Sequence, residues 1–259
     1  MAEVSIEWPY CVLDVESGGT DPRKHSLLTV CFRLLDRELN DGPQISFGIK
    51  HAVYNVTPEA MAVNKIDLEE HHKTAWDDSR IAGELGEFFG FVPVSECGYA
   101  RKHTITLIGH NPAFDKGFID EQLPMAWPQK RNGEYVGIST SIFHYRLRDT
   151  QAVGDWMNDC GLIDVEKPSL SKLCALFGIE YKAHTADGDV DATAKLWRAY
   201  RKLGKKYLLS MALAESLHRN EPGLLKDAEN YHAERDARNR SADSLDLAIT
   251  PNFGDGMLS

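Results

Sequence analysis

The sequence has no cysteine pattern, leader or apolar run of the kinds that mark disulfide scaffolds, zinc sites, exported chains or membrane proteins. Its five cysteines, Cys11, Cys31, Cys97, Cys160 and Cys174, are odd in number and scattered, with no C-x-x-C pair and no histidine partner at zinc-finger spacing. A reduced, cytoplasmic setting is therefore expected. The opening residues show no basic segment followed by an apolar one, and no apolar run approaches the ~20 residues of a membrane span. Positive charge is also scarce: 29 Lys and Arg face 39 Asp and Glu, a formal charge of −10. Coating duplex nucleic acid requires many Lys and Arg contacts to phosphate, so that class is excluded; an enzyme that engages a strand end through metal ions is not. No internal repeat and no low-complexity tract is present.

What is there reads as one α/β core with an appendage, since 259 residues at 42% hydrophobic content can bury a single sizeable core. Tyr10 to Glu16 is a short, partly β-branched run ended by Ser17-Gly18-Gly19, a buried strand followed by a tight turn. Leu27 to Leu35 and Ile45 to Val53 read as the next two strands, joined through Asn40-Asp41-Gly42-Pro43. Thr57 caps a short helix, Asp67 starts another, and Ser79 to Phe89 has helical spacing. Thr104 to Ile108 returns as a strand, and Asn111-Pro112 opens a helix to about Gln122, Asn as cap and Pro at the first helical position. Met125 to Thr140 lacks apolar periodicity and reads as a long, somewhat basic surface loop. Phe143 to Asp149 is the fifth strand, with helices at Thr150 to Cys160, Ser169 to Phe177 and Asp187 to Leu203. Five strands among helices give a mixed sheet flanked by helices. Lys205 to Arg240 favours helix, with Gly204 as the boundary, and Ser241 to Ser259 reads as a loosely ordered tail.

Three short elements carry chemistry. Asp14 and Glu16 lie two apart on one strand, so both carboxylates face one side while Leu13 and Val15 face the other. Ionised carboxylates that close together and partly buried need a cation or a raised pKa. Asn111-Pro-Ala-Phe-Asp115 places an acid in the first turns of a helix, where dipole complementation is the ordinary role. His184-Thr-Ala-Asp-Gly-Asp189 opens the late helix. There Asp189 heads an apolar stripe through Ala192, Leu196, Ala199, Tyr200 and Leu203, an expensive place for a carboxylate unless something binds it. Asp191, off that stripe, reads as solvated. Five residues of helix would turn His184 about 140° away from Asp189, so the histidine belongs on the preceding loop.

Together these elements resemble the three exonuclease motifs of the DEDDh family of DnaQ-like 3′–5′ exonucleases, with the match running from about Cys11 to Leu203. Thr57-Pro-Glu-Ala-Met, Arg148-Asp149-Thr150 and Leu170 to Ile179 resemble linking segments of that family. The resemblance implies an RNase H-like fold and two divalent cations, Mg²⁺ or Mn²⁺, held by Asp14, Glu16, Asp115 and Asp189. It implies His184 as general base, the side chain that ordinarily titrates near neutral pH. Val15, Ser17 and Asn111 are then expected to contact the terminal nucleotide, with apolar groups near Val15 stacking on a base. Lys130, Arg131, Arg146 and Arg148 are candidates for strand contacts. The sequence departs from the family at Ser17-Gly18-Gly19, where relatives often carry Thr-Thr-Gly, and in the longer Met125 to Thr140 loop.

The expected domain plan is an exonuclease domain over 1–204, a helical extension over 205–240 and a tail over 241–259. The expected substrate is a single-stranded or frayed 3′ end, DNA favoured over RNA. No membrane partner is expected; a second copy of the chain or a polymerase could dock on the C-terminal helices. An exoribonuclease of the same fold and a non-catalytic binding module are the alternatives, the latter disfavoured because all five motif residues are present. A phosphohydrolase of free nucleotides is less favoured still.

Overall fold

In the computed structural model, which describes residues 8–89, 92–94, 98–100, 105–123, 130–131, 134–135, 138–180, 184–219, 226 and 230, the chain builds its sheet outward from its first strand. β1 (Tyr10–Ser17) pairs antiparallel with β2 (Leu27–Leu35), which pairs antiparallel with β3 (Asp41–Gly48). Helices α1 (Pro58–Asn64), α2 (Leu68–Thr74) and α3 (Asp78–Phe88) follow, then the hairpin β4 (Val92–Val94) and β5 (Gly98–Ala100). β6 (Thr106–Gly109) joins β1 in parallel, and α4 (Pro112–Gln122) crosses behind it. A two-residue hairpin, β7 (Lys130–Arg131) and β8 (Glu134–Tyr135), and α5 (Ile138–Ile142) precede β9 (Arg148–Asp149), which pairs parallel with β6. α6 (Thr150–Asp159), α7 (Leu170–Leu176) and α8 (Ala186–Arg219) complete the described fold. The main sheet is five-stranded and mixed, in the order β3-β2-β1-β6-β9.

Alternation along β1 assigns each face of the sheet. Cys11, Leu13 and Val15 join Phe118 and Ile119 of α4 and Ile81 and Leu85 of α3 in the larger core. Val12 faces the other way and meets Val190 and Ala194 of α8 beside Cys31 and Ile108. α8 buries a second stripe: Ala192, Leu196, Ala199 and Tyr200 pack on Met157, Leu173, Cys174 and Phe177 of α6 and α7. The stripe read from the sequence is thus the face toward α6 and α7. The face toward the sheet is made of the small and β-branched Ala186, Val190 and Ala194.

Three expectations need correction. β3 begins at Asp41 and ends at Gly48, earlier than Ile45 to Val53. The turn lies upstream, where the Asp36 carboxylate accepts from the N–H groups of Glu38 and Asn40, both at 2.8 Å, and Leu39 takes φ 69°. Pro43 is tolerated within β3 because this is an edge strand, where a missing donor interrupts no ladder. The presumed loop after Met125 includes β7, β8 and α5, and its residues 125–129, 132–133 and 136–137 lie outside the described ones. Ile138 and Ile142 are fully buried, and Asp120 of α4 accepts from the Ser139 N–H at 2.8 Å and its hydroxyl at 2.6 Å, which docks α5 on α4. The last strand is only Arg148–Asp149; Phe143 contributes a single bridge to Ile105.

α8 runs unbroken across Gly204, and the C-terminal part of the fold is helical as far as Arg219. Residues 231–259, which hold the expected tail, lie outside the described residues. No described helix is long and apolar enough to cross a membrane.

Candidate metal and catalytic site

The site is assembled where β1 ends. Asp14 and Glu16 pair across to Cys31 and Thr29 of β2, and the register shifts just after Glu16, so the strand breaks off with both carboxylates on the α8 side. Asp189 arrives from the first turn of α8, and one carboxylate oxygen from each of Asp14, Glu16 and Asp189 lies within 4.8 Å of the others. Asp115, from the first turn of α4, is 4% exposed and accepts the Val15 N–H on Oδ1 at 3.0 Å. It stands beside the trio, close enough for its charge to act on Asp14.

The electrostatics of this cluster are dominated by burial and by the mutual repulsion of the acids. Burial, then the charges of Asp115, Asp189 and Glu16, hold the Asp14 carboxyl well above the usual range. Burial and then Asp189 push Glu16 up to about 7. Burial also raises Asp115, although the Val15 N–H holds it back. Asp189 is raised by burial to about 6 despite His184, whose charge and backbone N–H both favour the carboxylate. Four carboxylates cannot all be ionised here without a counter-charge. An all-oxygen, anionic donor set of this kind fits a hard divalent cation.

His184 lies outside α8, on the turn before it, with its ring exposed and φ 63°. Histidine is among the few non-glycine residues enriched in that left-handed region. Thr185 follows as the helix cap, its Oγ1 accepting the Gly188 N–H at 3.2 Å and its carbonyl the Asp189 N–H at 2.9 Å. Loop and helix start are therefore fixed together, which keeps His184 next to Asp189.

The residues expected at the terminal nucleotide are placed unevenly. Val15 is 7% exposed and belongs to the core, so its side chain leaves little surface for a base to stack on; what it offers near the acids is its N–H, already given to Asp115. Ser17 donates its hydroxyl to the Gly19 carbonyl at 2.7 Å, and its backbone carbonyl accepts from Asn64 Nδ2 at 3.1 Å. Asn111 holds the cap position of α4 without capping it by its side chain: it takes φ 62°, ψ 53° and makes no side-chain cap bond, while its backbone N–H donates to Asp149 Oδ1 at 3.0 Å. Its side chain is left exposed to solvent. Arg146 spends its Nε on the Tyr145 hydroxyl at 2.9 Å. The side chains of Lys130 and Arg131 lie outside the described residues.

Sequence reasoning missed the supports of this site. Asp149 joins the start of α4 to the start of α6, accepting from Asn111 and, at 2.9 Å, from the Gln151 N–H; its place before Thr150 is a cap signal that could have shown half of this role. Asp191 is not merely solvated: it pairs with Arg33 at 2.9 Å and Lys195 at 2.7 Å, pinning α8 to β2. Gly18, after the acids, donates to Ser26 O at 2.7 Å and accepts from Thr57 N at 2.6 Å. A methyl group on Gly18 would collide with the backbone carbonyl of Asn55. Gly18→Ala is expected to cost about 1–3 kcal/mol through overpacking, a melting-temperature loss of several degrees by calorimetry; an unchanged value would show that the segment can step aside.

Comparison with known proteins bears on the family and the fold. The exonuclease family model of the RNase T type matches residues 11–197. Ribonuclease T of Shewanella frigidimarina (strain NCIMB 400) is 27% identical over 197 residues, 72% of this chain and 79% of that protein. Ribonuclease T of Shewanella putrefaciens (strain CN-32 / ATCC BAA-453) is 25% identical over 222 residues, 79% of this chain and 88% of its own. Among solved structures, exonuclease I of Methylocaldum szegediense aligns with a TM-score of 0.52 at 22% identity, over 74% of this chain and 40% of that one. Exonuclease I of E. coli in complex with a dT13 oligonucleotide aligns with a TM-score of 0.54 at 22% identity, over 81% and 45%. These two show the shared fold, and this chain spans less than half of the length of either. With the model matched across the sheet, the stretches that carry the acids and the first part of α8, the chain belongs to the exonuclease family, of the DnaQ-like 3′–5′ class.

Proposed function

We propose that the chain is a metal-dependent 3′–5′ exonuclease of the DEDDh type, releasing nucleoside monophosphates from single-stranded or frayed 3′ ends, DNA favoured. The observation that carries this is the convergence of Asp14, Glu16 and Asp189 within 4.8 Å, with buried Asp115 beside them and His184 on the turn before Asp189. In this reading Asp14, Glu16, Asp115 and Asp189 hold two divalent ions, Mg²⁺ or Mn²⁺. When bound, such ions neutralise phosphate charge and stabilise the leaving 3′-oxygen. His184, exposed and fixed by Thr185, accepts a proton from the attacking water. Asp189 orients that turn through its bond to the His184 N–H and favours the imidazolium that results. Asp149 and Gly18 keep the helix start and the turn around the acids in place.

The test is digestion of a 5′-labelled single-stranded DNA oligomer and its RNA counterpart, with Mn²⁺ or EDTA. A metal-dependent ladder shortening from the 3′ end is expected. Cleavage of neither oligomer would leave a non-catalytic binding module. His184→Ala is expected to slow the ladder about 10²–10⁴-fold, the range of general acid–base catalysis, while Mn²⁺ raises the variant's melting temperature as it does the parent's. A variant that keeps its rate would remove histidine from the mechanism.

An exoribonuclease is the second reading, favoured by the name ribonuclease T on the sequence relatives; the solved neighbour carries a DNA oligomer. The faster of the two matched oligomers decides. We further assign the catalytic unit to 1–204 and a helical extension to 205–240. Exposed Tyr207, Leu208 and Met211 of α8 offer the extension a face for a second copy of the chain or a polymerase. Sedimentation equilibrium separates monomer from dimer.

A further inference from the structure

At the other end of β1 from the acids, the same helix forms the wall of a second cleft, of about 410 Å³. Tyr10 opens β1, about 13 Å before Asp14 at strand rise. Trp197 and Arg201 lie about 12–18 Å beyond Asp189 along α8. The cleft therefore shares its frame with the carboxylate cluster without sharing a residue.

Its chemistry is opposite to that of the chain as a whole. In a protein of formal charge −10, three arginines line this cleft, Arg37, Arg148 and Arg201, and no carboxylate does. Arg201 Nη1 donates to the Arg37 carbonyl at 3.0 Å, which ties α8 to the turn after β2 across the mouth. Neither Arg37 nor Arg148 forms an ion pair among the described residues; Arg148 reaches only the neighbouring Leu147 carbonyl, at 3.4 Å. This contrasts with Arg33 and Arg198 nearby, both paired to Asp41. Arg148, a candidate strand contact in the sequence, is thus placed away from the acids. Leu39, Val153 and three aromatic residues supply the remainder: Trp197 and Tyr10 are partly exposed, while the Tyr200 hydroxyl is already given to the Thr150 carbonyl at 3.2 Å.

We propose that this cleft is a binding site for a free nucleotide, its phosphate between the arginines and its base against Trp197 or Tyr10. Guanidinium groups bind phosphate through two parallel N–H donors, and a planar base stacks on indole or phenol with little regard to sequence. A volume of this size lies within the range of small-ligand pockets. The binding requires no divalent metal and does not rest on the proposed hydrolysis.

Equilibrium dialysis of labelled dAMP against the full chain in EDTA tests this. Without metal the carboxylate cluster repels phosphate, so saturable binding of one dAMP per chain reports on the arginine cleft. Arg37→Glu, on an exposed turn, is expected to weaken that binding about tenfold or more and to leave the rate of oligomer digestion without added nucleotide unchanged. Arg148→Met, on the opposite wall, is expected to weaken it similarly, with the fold checked by circular dichroism. Absence of wild-type binding at millimolar dAMP would overturn the proposal, as would binding that survives Arg37→Glu and is lost in Asp14→Asn. Inorganic phosphate competing as tightly as dAMP would overturn the assignment of the aromatic wall to a base. A chain that digests no oligomer and still binds dAMP would remove the proposed hydrolysis and leave this site standing.

Discussion

Asp14→Asn is expected to abolish metal-dependent hydrolysis and, in the same protein, to raise the melting temperature measured in EDTA. The two effects share one cause. Asp14 is half-buried among Asp115, Asp189 and Glu16, and its carboxyl is pushed well above the usual range, first by desolvation and then by those three charges. A divalent cation turns that repulsion into attraction; losing a ligand from the set is expected to remove several kcal/mol of transition-state stabilisation, a loss of about 10²–10³-fold or more in rate. Without metal the sign reverses. A carboxyl whose folded pKa lies above its unfolded value lowers stability once the pH exceeds the unfolded value, because the native site must hold a proton that the unfolded chain releases. Asn has nearly the same shape and no such proton, so the metal-free variant is relieved of that cost. Digestion with Mn²⁺ and differential scanning calorimetry in EDTA at pH 8 read the two effects. A less stable variant would mean that Asp14 serves the fold, and an active one that the ions are held elsewhere.

The parts of this site that were legible in the sequence are those governed by local periodicity. Period two puts Asp14 and Glu16 on one face of β1, and the structure brings an oxygen from each within 4.8 Å of Asp189. Thr57, Asp67 and Ser169 cap helices by the side-chain bonds their types favour. What was not legible depends on partners far along the chain. Arg33 and Asp191 are 158 residues apart, and neither carries a local mark of the pairing that locks α8 to β2. Asn111 looks like a helix cap by type, but it lies in the left-handed region with no side-chain cap bond, and its N–H is held by Asp149, 38 residues on. The sheet-facing side of α8 was hidden for a different reason. Ala186, Val190 and Ala194 are small because the helix lies close on the sheet, and small residues make a weak hydrophobic stripe. The buried α5 was lost because its five residues are too few to show a period.

The stabilisation conferred by Mg²⁺ or Mn²⁺ is expected to grow with pH, from little near pH 5 to a large melting-temperature shift near pH 8. Glu16 is displaced from 4.5 to about 7, by burial and by Asp189, and Asp189 from 3.8 to about 6, chiefly by burial. Below their unfolded values both states of the protein hold these protons and the displacement has no effect on stability. Between the unfolded and folded values the native protein holds protons that the unfolded chain has lost, so metal-free stability falls as pH rises, and above about 7 the loss is complete. For Glu16 alone that loss is about 3 kcal/mol, which for a chain of this size is a shift of about 6–12 °C. A divalent cation removes the loss by supplying the missing counter-charge, and at low pH it must first displace protons from the same oxygens. Melting curves from pH 5 to pH 8, each with EDTA and with Mn²⁺, measure the gap. A gap that widens through pH 6–7 in the parent and closes in Glu16→Gln identifies these carboxylates as its source. A gap independent of pH would mean that the ion stabilises the chain at some other place.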